Sequence, residues 1–350
     1  MTETIILTLF SISIAIYLLW GFRNLPAENW QILASVPVSK GESGEWEGIN
    51  LTWYGLLTAN AFLVSVMSLL VLLGSMGANM GAIAMLTICV LIICVPAARL
   101  VARVVENKAH TFTVGGAVFV GTLATPLAII MLNSTAGLLY GFHLPVMATC
   151  AAVATSYAFG EGLGRLACIS FGCCYGRHLD DCSGWLLKLV GNAGFVFRGG
   201  LKKAAYAGGM EGERLFPVQA VTAVLYSICG IVSTALFISG RFTASFLLAS
   251  IFTQLWRIFS EFLRADYRGE GQISAYQKMG VAGSIACIAT ALLLPPEPPA
   301  VPSLLSGIRL LWSPYSIILL QGVWLAIFLY TGRSTVTGAT INLRLHRERV

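Results

Sequence analysis

Charge is what this sequence has least of. Only 11% of its 350 residues are Asp, Glu, Lys or Arg, well under the roughly 25% of an ordinary soluble domain. So few charges do not cover a water-facing surface. Hydrophobic residues at 57% and a mean hydropathy of +0.79 exclude a disordered chain as well. Basic residues are sparse: 22 Lys and Arg against 16 Asp and Glu leave a net charge of +6. No Lys/Arg stripe runs through the chain, so nucleic acid is not expected as a partner. No internal or inverted repeat marks a transporter. The composition that remains is that of an all-α, polytopic membrane helix bundle whose surroundings are membrane lipid.

A helix needs about 20 apolar residues to cross the hydrocarbon. Nine stretches qualify, at about 5–22, 51–74, 81–101, 112–132, 145–165, 218–238, 242–262, 276–294 and 308–331. The first has no basic leader and ends at Arg23 without a small-residue cleavage site, which predicts a retained helix. One face of the bundle then has short turns. The other carries the 23–50 loop, a basic turn near Lys108, a head segment at 166–217, the 265–275 turn and a basic tail. Of the 22 basic residues only Arg241 and Arg309 fall on the short-loop face, a split of 20 to 2. By the positive-inside rule the head then faces the cytoplasm. The expected organisation is an extra helix and loop at 1–50, a seven-helix core at 51–295 that includes the head, and a Pro-rich linker, extra helix and tail at 296–350.

Ionisable groups inside membrane helices are costly and mark functional sites. Glu161 and Arg165 stand four apart on one helix face, near its head-side end. Arg257, Glu261 and Arg264 repeat the pattern on a later helix at the same depth, followed by Asp266. One such pair is ordinary structural glue; two at one depth point to an anion site. The planar guanidinium fork suits a phosphate because it binds two oxygens at once and stays charged.

Three further clusters lie near the same face. The run from Gly164 to Arg177 holds Gly172, Cys173, Cys174, Gly176 and Arg177, where a helix leaves the membrane. Gly115 and Gly116 open the fourth helix; small residues there mean close helix packing or approach of a head group. Tyr54 follows Trp53 at a helix start, where an aromatic pair is ordinarily an interfacial belt. Nine cysteines in so apolar a chain are not a secreted disulfide framework. Cys89, Cys94, Cys150, Cys229 and Cys287 sit in apolar runs, where cysteine acts as a small hydrophobe. Cys168, Cys173, Cys174 and Cys182 do not have zinc-finger spacing, and adjacent Cys173 and Cys174 are expected to point apart. No metal or cofactor is therefore expected. Arg165 and Arg177 flank these thiols and are expected to lower a nearby thiol pKa.

In this order and spacing, the pieces resemble the bacterial prolipoprotein diacylglyceryl transferase family, from about residue 51 to 294. Tyr54-Gly55 matches a Tyr-Gly at the head of the family's first core helix. Gly115 through Thr122 matches part of its Gly-Gly-x-x-Phe-His-Gly-Gly stretch. Gly164, Arg165, Gly172, Gly176 and Arg177 match its signature. Pro217-Val218-Gln219, Arg257 through Arg264, and Gly271-Gln272 match later elements. The departures are Val120 at the family's His, Cys168 at its first signature Asn and Cys173 at its signature Glu.

The resemblance implies a transferase of the bacterial cytoplasmic (inner) membrane. Its donor is phosphatidylglycerol, its acceptor the signal cysteine of a prolipoprotein, and glycerol phosphate leaves. Arg165 and Arg257 would clamp the phosphate, Glu161 and Glu261 orient them, and Tyr54 hydrogen-bond the head group. Gly115, Gly116, Gly172, Gly176, Arg177 and Arg264 would bind substrate. His110 and His178, the head-side histidines outside the tail, stand away from the motif and do not replace the missing His. The resemblance also implies an external head, opposite to the basic-residue count. Two other readings use the same residues: a paralogue passing the same lipid to another acceptor, and a non-catalytic lipid-binding or redox-responsive protein built on the four clustered cysteines.

Overall fold

The structure, a computed structural model, describes residues 2–106, 114–190, 193–266, 273–294 and 301–349. The described residues are mostly helical, at 72%. In order, the helices are α1 (Thr2–Asn24), α2 (Trp53–Ser75), α3 (Met80–Glu106), α4 (Val114–Leu132), α5 (Leu138–Tyr140), α6 (Val146–Phe171), α7 (Gly184–Val190), α8 (Lys203–Tyr206), α9 (Val218–Ile238), α10 (Phe242–Glu261), α11 (Ala275–Leu293), α12 (Leu304–Leu311) and α13 (Pro314–Gly332). The strands are β1 (Ile32–Lys40), β2 (Trp46–Thr52), β3 (Phe195–Val196), β4 (Arg214–Leu215) and β5 (Arg333–Ile341).

Among the described residues seven helices are long and apolar enough to cross a membrane: α1, α2, α3, α4, α9, α10 and α13. The chain is thus a multi-pass membrane protein. Of the nine expected crossings, α6 and α11 form long helices at the expected places but are not in that set. Both are rich in Ala, Gly, Ser and Thr, and α6 carries Glu161 and Arg165.

Small residues explain why α6 lies at the centre. A Cβ on Gly160 would stand 2.9 Å from the side chain of Ser65 on α2. One on Gly162 would stand 3.0 Å from Tyr226 on α9, and one on Gly230 would meet the Phe159 ring at 2.8 Å. Lipid tails are as apolar as the helix surfaces, so association rests on such close packing and on interhelical hydrogen bonds, each worth roughly 0.6–2 kcal/mol. Ser65 Oγ donates to the Ser156 carbonyl at 2.8 Å, Tyr226 Oη to the Thr253 carbonyl at 2.7 Å, and Trp256 Nε1 to Thr222 Oγ1 at 2.8 Å.

The expected last crossing is divided. Pro314 has no N–H to continue α12, and Ser313 caps α13 by accepting from the Ser316 N–H at 3.2 Å. The 23–50 loop and the tail also differ from the all-α expectation. β1 pairs with β2 and β2 with β5, both antiparallel, in a three-stranded sheet with β2 in the middle. This sheet passes directly into α2. Thr52 Oγ1 donates to the Gly332 carbonyl at 2.9 Å and accepts from the Gly55 N–H at 3.4 Å. A Cβ on Gly55 would fall 2.1 Å from Gly332 Cα. The end of α13 therefore grips the first turn of α2, the turn that carries Tyr54.

Candidate active site

Gly172 ends α6 with φ +72°, and its N–H joins the Ile169 carbonyl at 3.2 Å, while the Cys173 N–H reaches back to the Cys168 carbonyl at 3.0 Å. This αL cap turns the chain sharply. Cys174 follows with φ 58°, unusual for a residue with a side chain. Residues 175–177 then run extended between two neighbours. The Arg177 N–H donates to the Leu263 carbonyl at 3.0 Å, the Ala265 N–H to the Tyr175 carbonyl at 3.1 Å, and the Phe216 N–H to the Arg177 carbonyl at 2.8 Å. Gly176 is needed there because a Cβ would lie 2.2 Å from the Phe216 carbonyl oxygen. The motif thus ties the end of α6 to the start of α9 and the end of α10.

Arg165 pairs with Glu161 on α6, as the i,i+4 spacing predicts, and their side chains are 14% and 9% exposed. Arg165 Nε is buried with no hydrogen-bond partner. The second expected pair is rearranged. Arg264 Nη1 stands 3.9 Å from Glu261 Oε1, and Arg264 also holds Asp266 through two bonds, Nε to Oδ1 at 2.8 Å and Nη2 to Oδ2 at 3.0 Å. Arg257 instead donates from Nη1 to Tyr157 Oη at 3.4 Å. The helix ends at Glu261, and Arg264 follows in the turn after Phe262 and Leu263.

Tyr226 on α9 lies within electrostatic reach of both Arg165 and Arg257. Tyr54 packs its ring edge-on against Phe171 at 5.8 Å and lies within reach of Arg165. On α4 the paired glycines face different ways. A Cβ on Gly115 would meet Arg257 Nη2 at 2.8 Å and the Tyr276 ring at 2.4 Å; one on Gly116 would strike Val101 of α3 at 2.5 Å. Tyr157, Tyr226 and Tyr276 were missed in the sequence because aromatic residues in apolar helices carry no motif of their own.

Arg177 is exposed and lines an open cleft of about 400 Å³ with His178, Asp181, Met210, Arg264 and Ala265. It does not join the buried cluster. His178 Nδ1 stands 3.9 Å from Glu213, and Val120 occupies α4. His110 and Gly271-Gln272 lie outside the described residues.

The cysteines depart furthest from expectation. The Sγ atoms of Cys168, Cys173 and Cys174 all lie within 4.8 Å of one another. Cys173 and Cys174 do not point apart because the positive φ at Cys174 folds its side chain back. Cys182 is separate, donating its thiol to the His178 carbonyl at 3.5 Å. The expected lowering of thiol pKa is also reversed at Cys173, beyond the end of α6. Hydrogen bonds from the neighbouring thiols, then burial, push it well up. At Cys182 burial raises the pKa more than Arg177 lowers it.

One end of a membrane helix bundle thus gathers buried arginines, carboxylates, tyrosines and three thiols, the equipment of a polytopic membrane enzyme. The family model for prolipoprotein diacylglyceryl transferase matches residues 45–294. The chain belongs to this family and is a transferase of lipoprotein biosynthesis. A search of curated proteins finds no match.

Proposed function

We propose that this protein transfers a diacylglyceryl group from phosphatidylglycerol to the signal cysteine thiol of a prolipoprotein, in the bacterial cytoplasmic membrane. The observation that carries this reading is the buried, half-satisfied guanidinium of Arg165, whose Nε has no partner, beside Tyr54 and Tyr226. An unpaired donor held out of water is costly and favours an anionic ligand.

The acceptor thiolate attacks the glyceryl carbon next to the phosphate ester. A C–S bond forms, the C–O bond breaks, and the electron pair leaves on glycerol phosphate. Charge grows on the leaving phosphate, and a fixed cation there lowers the barrier. Arg165 and Arg257 are the clamp. Glu161 orients Arg165, while Glu261 acts through Arg264, which it meets. Tyr54 hydrogen-bonds the head group. Gly115 leaves room for Arg257 beside the lipid. Gly116 is spent on packing against α3, and Gly172 and Gly176 shape the loop that carries the thiols. Arg177 and Arg264 line the outer cleft, an entry for the anionic head group. The core at 51–295 is the transferase unit, and α1, α13 and the three-stranded sheet brace it at Tyr54.

The test is transfer of labelled diacylglyceryl from phosphatidylglycerol to a prolipoprotein peptide by the purified protein. Transfer that requires both the peptide's cysteine and Arg165 supports the reading. Transfer to a different acceptor supports the paralogue reading, and no lipid turnover of any kind removes the enzyme reading.

A further inference from the structure

We propose that Cys168, Cys173 and Cys174 form a zinc site whose fourth coordination position receives the acceptor thiol. This inference rests on the transferase reading above for its purpose, but not for its chemistry.

Three thiols from two turns of backbone converge at the end of α6, with Sγ atoms within 4.8 Å of one another. A tetrahedral Zn²⁺ with Zn–S of about 2.3 Å needs sulfurs roughly 3.8 Å apart, so the cluster closes by at most about 1 Å. The convergence depends on Cys174 adopting φ 58°. Such a conformation costs energy, and it persists where the surroundings over-determine it, as they do at functional sites. The surroundings here are built. Gln219 Nε2 donates to the Cys173 carbonyl at 2.9 Å, and the two-sided pairing of 175–177 anchors the far end of the turn.

Two observations point to a ligand at the cluster. Gln219 is 1% exposed, yet its Oε1 has no partner, and Arg165 Nε, beside the same thiols, has none either. The charges also fit. Three thiolates and Zn²⁺ carry a net −1, and an added acceptor thiolate makes −2. Arg165 lies within electrostatic reach of Cys168 and Cys174, and Arg264 within reach of Cys174. Two guanidinium groups therefore face the excess negative charge.

Soft thiolate ligands select Zn²⁺, Cu⁺ or iron–sulfur clusters. Three protein ligands with one open position is the pattern of a catalytic zinc, while structural zinc is closed by four. Among the described residues no His, Asp or Glu joins the three thiols as a fourth ligand. The open position has a use. Transfer needs a thiolate, and the carboxylates nearest the site are engaged by Arg165 and Arg264. A thiol that coordinates zinc is deprotonated outright. The acceptor thiol binds as thiolate, its proton passes to water, and the sulfur attacks the glyceryl carbon. The product thioether is a weak ligand and leaves.

The experiment uses the full chain, reduced, in detergent micelles without oxygen, titrated with Co²⁺ as a zinc probe. One Co²⁺ per chain, with thiolate-to-cobalt charge-transfer bands and tetrahedral d–d bands, is expected. Zn²⁺ displaces it. Adding a cysteine-containing signal peptide shifts these bands as a fourth thiolate enters. The serine variant of Cys168, Cys173 or Cys174 weakens binding by more than the roughly 10–100-fold lost with an outer-shell group. Cys182→Ser leaves it unchanged, and chromatographic homogeneity checks the fold of every variant. Substoichiometric Co²⁺, or binding that survives replacement of all three cysteines, overturns the site. Binding of Cu⁺ alone overturns the zinc assignment. A spectrum indifferent to the peptide overturns the open position. Metal and peptide binding without any lipid transfer leaves the site standing and sinks the transferase reading instead.

Discussion

Arg257 on α10 occupies the space where a side chain on Gly115 of α4 would begin. A Cβ built there stands 2.8 Å from Arg257 Nη2. The position is tight on a second side, since the same Cβ would stand 2.4 Å from the Tyr276 ring, while one on neighbouring Gly116 would strike Val101 at 2.5 Å. Gly115→Ala forces the guanidinium and the Tyr276 ring to shift. A displacement of about 1 Å at a reacting site costs on the order of 10²-fold in rate. Transfer assays on purified variant are expected to show that loss in kcat with the protein still folded. Unaltered turnover would separate Arg257 from the chemistry.

Arg165→Ala removes the buried cation that faces the leaving phosphate in the proposed reaction. The loss of one such stabilising group costs about 10²–10³-fold in kcat. Arg165→Lys is expected to fail nearly as badly, because a point charge on a flexible stem does not reproduce a planar fork. Single-turnover transfer rates at saturating lipid decide it. Full activity in the lysine variant would reduce the role of Arg165 to bulk charge.

Much of this was legible in the sequence, for physical reasons. Helices in a membrane must be apolar over a fixed length, so the positions of α1 through α4, α9 and α10 follow from hydropathy alone. Arg165 and Glu161 were found because i,i+4 spacing places two charges on one face wherever the helix lies. What escaped were features set by contacts distant in sequence. The strands β2 and β5 lie nearly 300 residues apart and pair only because α13 returns to α2. Glu261 stands 3.9 Å from Arg264 while Arg257 turns to Tyr157, a choice between neighbours that helical spacing alone leaves open. The thiol cluster depends on the single positive φ at Cys174, which no spacing rule reports.

Glu261→Gln is expected to weaken transfer less than Arg257→Ala. In the proposed mechanism the carboxylate acts through Arg264, which it holds at 3.9 Å, while Arg257, hydrogen-bonded to Tyr157, clamps the phosphate directly. A glutamine still offers a carbonyl to Arg264. Parallel kcat and KM measurements on the two variants test the order. A reversed ranking would make Glu261 the base.

Lys202 gives a pH dependence whose sign runs opposite to the usual lysine. It is fully buried, and its Nζ donates to the Leu25 carbonyl at 3.0 Å and the Ser170 carbonyl at 2.6 Å, locking the end of α1 to the end of α6. Burial lowers its pKa from 10.5 to about 8, against the opposing pull of Glu28. The folded state therefore binds the proton less tightly than the unfolded chain does. Between about pH 8 and 10.5 the unfolded lysine is charged and the folded one largely neutral, so folding releases a proton and stability rises with pH. Below pH 8 both forms are charged, and the cost of holding the ammonium in place, up to about 3 kcal/mol, is constant. Melting temperatures of the wild type and of Lys202→Met, read by intrinsic fluorescence in the same detergent, cancel the titration of other groups when subtracted. The difference is expected to be flat below pH 8 and to move in favour of the wild type from pH 8 to 10.5. A difference that stays level across that window, or moves the other way, would mean that Lys202 keeps an ordinary pKa and that its two carbonyl bonds fully offset its burial.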